Sequence, residues 1–295
     1  MPKHTRKALI ASILLLTALA AGPPRGAAWA QAPSADSPEP APPAEVKRSV
    51  KVMDFGSLIS PTTIVFRPTA LVSGSQGEAE VWMDRAVAKL HATFTNLPPA
   101  SRLGREYLTY VLWSVTPEGR TTNLGEVTWA GAAAQLDAKV EWHRFGLLVT
   151  AEPYFAVSMP GAAVVFEAGL APGATNEVPI TETTCQLLSR PTGGAAVAAG
   201  SKAAVDPTEP LVVEEARRAI AAAKAAGAEH YAPLTFGTAT QLLRLAENQL
   251  AKRVKLKDVL DTGSEAVLIA EDARVLATAR QKRLHDADPP LQPSP

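Results

Sequence analysis

The sequence predicts a multidomain chain that joins an all-β part to an all-α part. An antiparallel immunoglobulin-like β-sandwich is predicted over residues 48–188, followed by a small antiparallel helical hairpin or three-helix module over residues 210–284. The sandwich is predicted because apolar and polar residues alternate in several short segments, and this period places one face of each strand in a core. The helical module is predicted because alanine-rich apolar stripes repeat every three or four residues, the period of an amphipathic helix.

An export signal is predicted at residues 1–30. Three basic residues begin the chain: Lys3, Arg6 and Lys7. A leucine-rich apolar run over residues 8–21 follows them, and a small-x-small pattern ends at Ala30, before Gln31, so cleavage is expected between Ala30 and Gln31. The run is shorter than the roughly 20 residues of a spanning helix, which favours a cleaved signal over an uncleaved anchor. We expect an exported protein with no stable transmembrane anchor, in the periplasm or outer envelope of a bacterium with an outer membrane.

Three segments contain little that a core could bury. Residues 31–47 are rich in Pro and Ala and predict a disordered linker, and residues 189–209 predict a Gly/Ala/Pro linker between the two parts. Residues 285–295 predict a disordered tail.

The charge balance excludes some classes of partner. The chain has 29 basic and 29 acidic residues, a net charge of zero, whereas nucleic-acid-binding domains usually carry a basic excess. The first 30 residues hold four basic and no acidic residues, so cleavage would leave 25 basic against 29 acidic residues, a net charge of −4. Cys185 is the single cysteine of the sequence, which excludes an intrachain disulfide and leaves an intermolecular one open.

Seven or eight strands are predicted in the β part. They cover residues 50–55, 64–66, 86–95, 107–115, 121–127, 136–142, 145–152 and 163–167. The third and the sixth of these segments alternate apolar with polar residues, which is typical of strands with one buried face. Residues 107–115 are apolar on both faces, as a central strand should be. Tyr107, Tyr110 and Trp113 in this strand are therefore expected to pack in the core.

Three amphipathic helices are predicted in the α part. Their stripes run from Val213 to Gly227, from Phe236 to Leu250 and from Ala266 to Ala277. The breaks are expected at residues 227–233 and 254–258, and Pro233 suits the first turn of the second helix. Three such helices bury little surface by themselves, so docking onto a partner or self-association is expected.

Five segments carry a first resemblance. They are Tyr110-Val111-Leu112-Trp113, Pro117-Glu118-Gly119, Leu124-Gly125-Glu126, Leu148-Val149-Thr150-Ala151-Glu152-Pro153 and Met159-Pro160-Gly161. In order and spacing they resemble the extracytoplasmic β-sandwich domain of anti-sigma-K factors, over residues 80–170. The resemblance implies a shared sandwich and compartment. It does not imply control of a sigma factor, because only seven residues precede the apolar run and such a factor needs a cytoplasmic domain there.

The helical part carries a second resemblance. Its signature is Ala-rich residues 216–228, then Tyr231-Ala232-Pro233, then residues 239–250. This pattern resembles an uncharacterised helical-hairpin domain of bacterial envelope proteins that is often found ahead of an OmpA-like module. No OmpA-like module follows here, so wall binding is not implied.

No catalytic, cofactor-binding or metal-binding motif is found in the sequence. The five histidines lack a metal-ligand spacing, and no nucleotide-binding or nucleophile motif occurs. The adjacent acids Glu214-Glu215 and Glu271-Asp272 are expected to be solvated charges, because neighbouring residues on a helix do not face each other. We therefore expect no cofactor and no enzyme activity.

One dense basic cluster has two interpretations. Its members are Lys252, Arg253, Lys255 and Lys257. They are either a solvated helix end that complements the helix dipole or a site that contacts an anionic lipid, lipopolysaccharide or wall polymer.

The favoured hypothesis is a non-catalytic exported cell-envelope protein, in which a β-sandwich recognition domain is joined to a helical docking or oligomerisation module. Its partner would be an envelope protein or a wall or lipid polymer. One alternative is a secreted wall-active hydrolase, for which Glu118, Glu126, His91 or His143 would have to converge in a cleft. Another alternative is an envelope-stress regulatory protein related to anti-sigma factor ectodomains.

Overall fold

The computed structural model describes residues 45–171, 178–190 and 209–287. Within these residues it places eleven antiparallel β-strands before four α-helices. The strands are β1 (Glu45–Asp54), β2 (Thr62–Pro68), β3 (Gln76–Asp84), β4 (Val87–Thr95), β5 (Thr109–Val115), β6 (Thr121–Glu126), β7 (Thr128–Ala130), β8 (Ala133–Val140), β9 (Arg144–Glu152), β10 (Val164–Leu170) and β11 (Ile180–Leu188). The helices are α1 (Leu211–Ala225), α2 (Ala228–Tyr231), α3 (Pro233–Ala251) and α4 (Leu256–Ala287). The predicted succession of antiparallel strands and then helices is confirmed.

The strands form one large sheet that nearly closes on itself. Its hydrogen-bonded order is β11-β1-β9-β10-β2-β3-β4-β8-β7, and β5 pairs with β9 and with β6. Only Val127 separates β6 from β7, and β7 pairs with β8. The sheet curls into a barrel-like shape because this nearly continuous stretch of chain pairs with β5 at one end and with β8 at the other.

Two hydrophobic cores lie on opposite faces of β5. Tyr110 and Leu112 point into the curled sheet, where the packed rings of Phe66, Phe94 and Phe166 fill the interior. The alternate residues Val111, Trp113 and Val115 point outward and pack against helical residues. All seven residues of β5 are therefore buried. The prediction of a strand apolar on both faces is confirmed, and so is the core position of its aromatic residues.

Alanines allow the helices to lie close to one another and to the sheet. The buried ones are Ala216, Ala219, Ala223, Ala228, Ala239, Ala246, Ala266, Ala270, Ala273 and Ala277. α1, α3 and α4 correspond to the three predicted helices, and α2 is an additional turn within the first predicted break. Gly227 adopts φ +73° between α1 and α2, a conformation that glycine adopts at little cost. The predicted place of Pro233 at the start of a helix is also confirmed.

Three strands of the sheet, β3, β7 and β11, were not predicted, and one strand was predicted to end too late. β7 has only three residues, and all of them are exposed. β3 and β11 present few buried apolar side chains; in β11 these are Cys185 and Leu187. Among the described strands, β11 pairs only with β1, and an edge strand needs little apolar surface. β8 ends at Val140, so the predicted strand over residues 136–142 is corrected, and Trp142 lies beyond it with an exposed fraction of 51%.

Several element ends fall inside the predicted flexible segments. β1 begins at Glu45, and α4 continues to Ala287. Arg190 and Glu209, at the two ends of the predicted second linker, both form ion pairs. The remainder of these segments lies outside the described residues, as do Ala30 and Gln31. The described strands and helices belong to one compact unit.

Candidate functional site

The residues predicted to contact an anionic surface lie together between α3 and α4. Lys252, Arg253, Lys255 and Lys257 are all exposed, and we term residues 252–257 the basic tip. Lys257 forms an ion pair with Asp261, one turn later in α4. The side chains of the other three cations have no hydrogen-bond or ion-pair partner within the described ranges. The structure therefore brings the four predicted residues together on one exposed turn.

The backbone of the basic tip ends α3 in a Schellman motif. The N–H of Val254 donates to the carbonyl of Gln249, and the N–H of Arg253 donates to the carbonyl of Leu250, both at 3.0 Å. Arg253 itself has φ +53°, in the left-handed region where an L-residue other than glycine costs about 1–2 kcal/mol. The chain thus keeps a charged side chain at a position where glycine is the usual residue.

A buried chain of hydrogen bonds crosses the face of the sheet that the helices cover. The indole N–H of Trp113 in β5 donates to the hydroxyl of Thr150 in β9 at 2.8 Å. That hydroxyl donates to Oε1 of Glu152 at 2.5 Å. The backbone N–H of Gly161 donates to the same carboxylate oxygen at 2.6 Å. These hydrogen bonds attach the loop after β9 to the centre of the sheet.

An ion pair completes the surroundings of Glu152. The guanidinium of Arg190 lies 3.1 Å from Oε2 of Glu152 and donates to the carbonyl of Met159 at 2.8 Å. Burial raises the pKa of the Glu152 carboxyl, and the charge of Arg190 acts in the opposite direction. Glu152 and residues 159–161 belong to two of the sequence segments that suggested the sandwich resemblance, and in this structure these two segments hold a loop in place.

Glu271 forms a second buried ion pair, which attaches α4 to the same loop. Arg274 donates to its two carboxylate oxygens at 2.6 and 2.7 Å. The hydroxyl of Tyr154 donates to Glu271 at 2.7 Å, and the backbone N–H of Ser158 at 2.8 Å. Burial acts to raise the pKa of Glu271. The hydrogen bonds from Arg274, Ser158 and Tyr154, together with the charge of Arg274, nevertheless hold this pKa below its usual range.

These contacts correct one prediction made for the adjacent acids. Glu214, Glu215 and Glu271 are buried, and only Asp272 is exposed. The prediction of solvated charges is therefore wrong for three of the four. The reason is long-range: the sheet covers one face of the helices, and that contact is not encoded in local spacing.

Glu215 is the buried acid with the least compensation. Its Oε1 has no hydrogen-bond partner within the described part of the chain. Burial, and next the charge of Glu126 in β6, raise the pKa of Glu215 well above its usual value. The Phe155 backbone N–H and the charge of Arg218 act in the opposite direction. Burial also raises the pKa of Glu126, although the Thr109 hydroxyl donates to it at 2.5 Å.

The four residues that the hydrolase alternative requires lie beside different neighbours. Glu118 lies near Arg120 in the turn after β5, and Glu126 lies beside Glu215 under α1. His143 lies beside Gly56 at the start of β9, and His91 lies on the outer face of β4. No hydrogen bond or ion pair among the described residues joins any two of these four.

His91 belongs to a short hydrogen-bonded chain on the sheet surface. Its Nδ1 is 2.7 Å from Oδ1 of Asp137, and its Nε2 is 3.3 Å from the hydroxyl oxygen of Thr93. A hydroxyl, an imidazole and a carboxylate in this order can activate a nucleophile. The cross-strand neighbours of His91 and Thr93 are, however, Glu80 and Glu78, and these carboxylates would destabilise the oxyanion of acyl transfer.

Cys185 lies in β11 with its side chain in the outer core beside Trp113. It is a free thiol, and burial raises its pKa. A disulfide to a second chain would therefore require β11 to separate from this core.

The described surface has depressions near some of these residues. One of about 570 Å³ is lined by Asp54, Arg85 and His143 among others, and one of about 310 Å³ lies beside Tyr107 and Arg190. A search of the described ranges finds no group of three His, Cys, Asp or Glu side chains that could hold a metal ion. None of the described helices is both long and apolar enough to span a membrane.

Comparisons of this chain with protein-family models, with curated proteins and with solved structures find no match.

Proposed function

We propose that this chain is a non-catalytic exported protein of a bacterial cell envelope, in which the sheet recognises a partner and the helices present the basic tip to an anionic surface. The observation that carries the proposal is the exposed basic tip on helices that are fixed to the sheet. Four cations share one turn there, and three of them have no partner side chain within the described ranges. Export is proposed on the signal pattern at residues 1–30.

The helices are attached to the sheet by several hydrogen bonds, and this attachment supports a docking role. Glu271 and Arg274 bind the loop after β9 to α4, and Arg218 of α1 donates to the carbonyl of Arg105 at 2.7 Å. Arg217 joins α1 to Glu247 of α3. A force or contact at the basic tip would therefore be transmitted to the sheet instead of being absorbed by a flexible joint.

The recognition surface is proposed on the uncovered part of the sheet. β7 ends the strand order and carries Trp129 with an exposed fraction of 46%, and tryptophan is enriched at protein interfaces. The same proposal includes an immunoglobulin-like sandwich. It also includes a relationship of the β part to the anti-sigma-K ectodomain and of the helices to the envelope helical hairpin. Val50 in β1 and Leu187 in β11 lie in the same hydrophobic cluster as Trp113 in β5, and this core shared by strands from both ends of the β part supports the sandwich.

The absence of catalysis is also a proposal. It is supported by the separate surroundings of Glu118, Glu126, His91 and His143, and by the two glutamates beside the exposed chain of His91. Incubation of the purified protein with peptidoglycan tests it. Release of soluble fragments that disappears in His91→Ala would refute it.

Export is tested by sequencing the N-terminus of the protein from fractionated cells. We expect a mature chain that begins at Gln31 in the envelope or periplasmic fraction. Ala30→Asp removes the small residue before the cleavage site and should leave the precursor uncut. Ala27→Asp is the matched control outside the small-x-small pattern and should be processed normally. An unprocessed cytoplasmic chain would refute the proposal.

Partner binding is tested by crosslinking intact envelopes before purification. We expect a defined envelope partner or a homo-oligomer to be recovered with the chain. Replacement of Trp129 by Ser should remove the partner if the edge at β7 recognises it, whereas Trp142→Ser, at a similarly exposed tryptophan, should not. Recovery of a strictly monomeric chain without a partner would contradict the proposed role.

A further inference from the structure

The basic tip also carries exposed apolar side chains. Val254 and Leu256 alternate with its cations, and their exposed fractions are 40% and 59%. Leu260, one turn further along α4, is exposed to 40%. Cations alone would suit any polyanion, but apolar side chains exposed among them gain nothing from a hydrated polymer. This combination is typical of segments that lie in the interface of a lipid bilayer.

The charges of the basic tip are available to a ligand. Lys257 is engaged by Asp261, whereas the side chains of Lys252, Arg253 and Lys255 bind no other side chain of the described ranges. The nearest acids in sequence, Asp258 and Asp261, lie in the first turns of α4. The apolar and cationic atoms therefore share the same turn, and the acids follow it.

The conformation of Arg253 is a second, independent observation. Its φ of +53° is one that favours glycine, and glycine would end α3 with less strain. Arginine at this position projects a charge from the turn at some cost to folding. Strained residues of this kind cluster where the side chain has a role in binding.

From these observations we propose that the basic tip binds the surface of a bilayer containing anionic phospholipid. Val254 and Leu256 insert between the headgroups, and Lys252, Arg253 and Lys255 contact lipid phosphates. The physiological use of this contact rests on the proposed export to the envelope, but the contact itself is a property of the folded chain. Lipopolysaccharide and wall polymers are the competing surfaces.

The charge part of the proposal is tested by sedimentation with vesicles. The probes are vesicles of phosphatidylcholine alone and of phosphatidylcholine mixed equally with phosphatidylglycerol. We expect binding only to the mixture, and weaker binding as salt is raised. Since each cation near such a surface strengthens binding about five-fold, Lys252→Gln, Arg253→Gln and Lys255→Gln together should weaken it by about two orders of magnitude. The matched control, Lys282→Gln with Arg283→Gln on the exposed end of α4, should change it several-fold less.

The apolar part is tested with a polarity-sensitive dye. Cys185 is buried, so a folded chain carrying Leu256→Cys should be labelled mainly at the new thiol. Leu284→Cys is a matched control, because Leu284 and Leu256 are both exposed to 59%. We expect the emission of the dye at position 256, and not at position 284, to shift to the blue on anionic vesicles. An equal response, or no response, at the two positions would overturn the insertion.

Arg253→Gly separates a role in binding from a role in folding. We expect the variant to be at least as stable to heat as the natural chain and to bind anionic vesicles about five-fold more weakly. Lower stability with unchanged binding would overturn the role assigned to Arg253. Binding to lipopolysaccharide or peptidoglycan but not to phospholipid vesicles would overturn the proposal as a whole.

The two proposals can fail separately. An exported chain that does not bind the vesicles refutes the lipid contact alone. A chain that binds them but is retained in the cytoplasm refutes the proposed function alone.

Discussion

Replacement of Glu215 by Gln should stabilise the protein at neutral and alkaline pH. Glu215 is 2% exposed, and its Oε1 has no hydrogen-bond partner among the described residues. Its neighbour across the contact between α1 and β6 is Glu126, a second acid. Glutamine has nearly the same shape, cannot ionise, and removes the repulsion between the two carboxylates.

The sign of the pH dependence follows from the direction of the pKa shift. Burial raises the pKa of Glu215 in the folded state, so the folded chain holds this proton more tightly than the unfolded chain does. The contribution of Glu215 to stability is therefore fully present below the unfolded pKa, and it is lost as pH rises through the raised folded pKa. A buried polar group without a partner costs about 1–3 kcal/mol. We expect Glu215→Gln to raise the free energy of unfolding by about that amount at pH 8, and by little at acidic pH.

The measurement is urea unfolding of the natural chain and the variant between pH 5 and pH 8, in steps of about half a pH unit, with thermal midpoints as a second measurement. Each kcal/mol should move the thermal midpoint by about 2–4 °C in a folded unit of this size. Glu265→Gln, at an exposed glutamate of α4, is the control and should change stability little at any pH. A gain that does not depend on pH, or a loss of stability at pH 8, would refute the assignment of Glu215 as an uncompensated buried acid.

Two further predictions test the packing around the sheet. Arg190→Met should lower the free energy of unfolding by about 3–5 kcal/mol, because it leaves the buried Glu152 without its cation; adding Glu152→Gln should recover part of the loss in the same denaturant assay, and no recovery would contradict the ion pair. Gly119 and Gly131 both have positive φ, +80° and +71°, but a Cβ at Gly119 would collide with a backbone carbonyl whereas one at Gly131 would meet nothing. Gly131→Ala should therefore cost about 1–2 kcal/mol, and Gly119→Ala about 1–3 kcal/mol more; equal losses would show that the turn at Gly119 is not packed as described.

Part of the candidate site could be predicted from the order of charged residues along the sequence. Clustered cations without intervening acids predict an exposed basic segment, and Lys252 and its neighbours are exposed. The left-handed backbone of Arg253 and the exposure of Leu256 could not be predicted. An apolar residue in a helical pattern is usually assigned to the core, and only the position of α4 against its neighbours shows which of its faces remains uncovered.

The buried acids show a similar limit of prediction from sequence. Spacing along a helix correctly indicates that Glu214 and Glu215 do not face each other. It contains no information on what lies opposite each of them. Glu215 is buried because α1 packs on the sheet near β6, and that contact joins residues far apart in the sequence.

The sequence by itself determined the order of elements and the buried face of several strands, because periodicity depends on residues only a few positions apart. The apolar residues 107–115 predicted a strand buried on both faces, and every residue of β5 is buried. In β4, the alternate residues that the pattern indicates are buried. The tertiary structure alone decided that the strands close into one curled sheet and that the helices cover the outer face of β5. It also decided that the basic tip lies on helices that are fixed to the sheet. These outcomes depend on which apolar surfaces meet, and that is set by the summed burial of the whole chain.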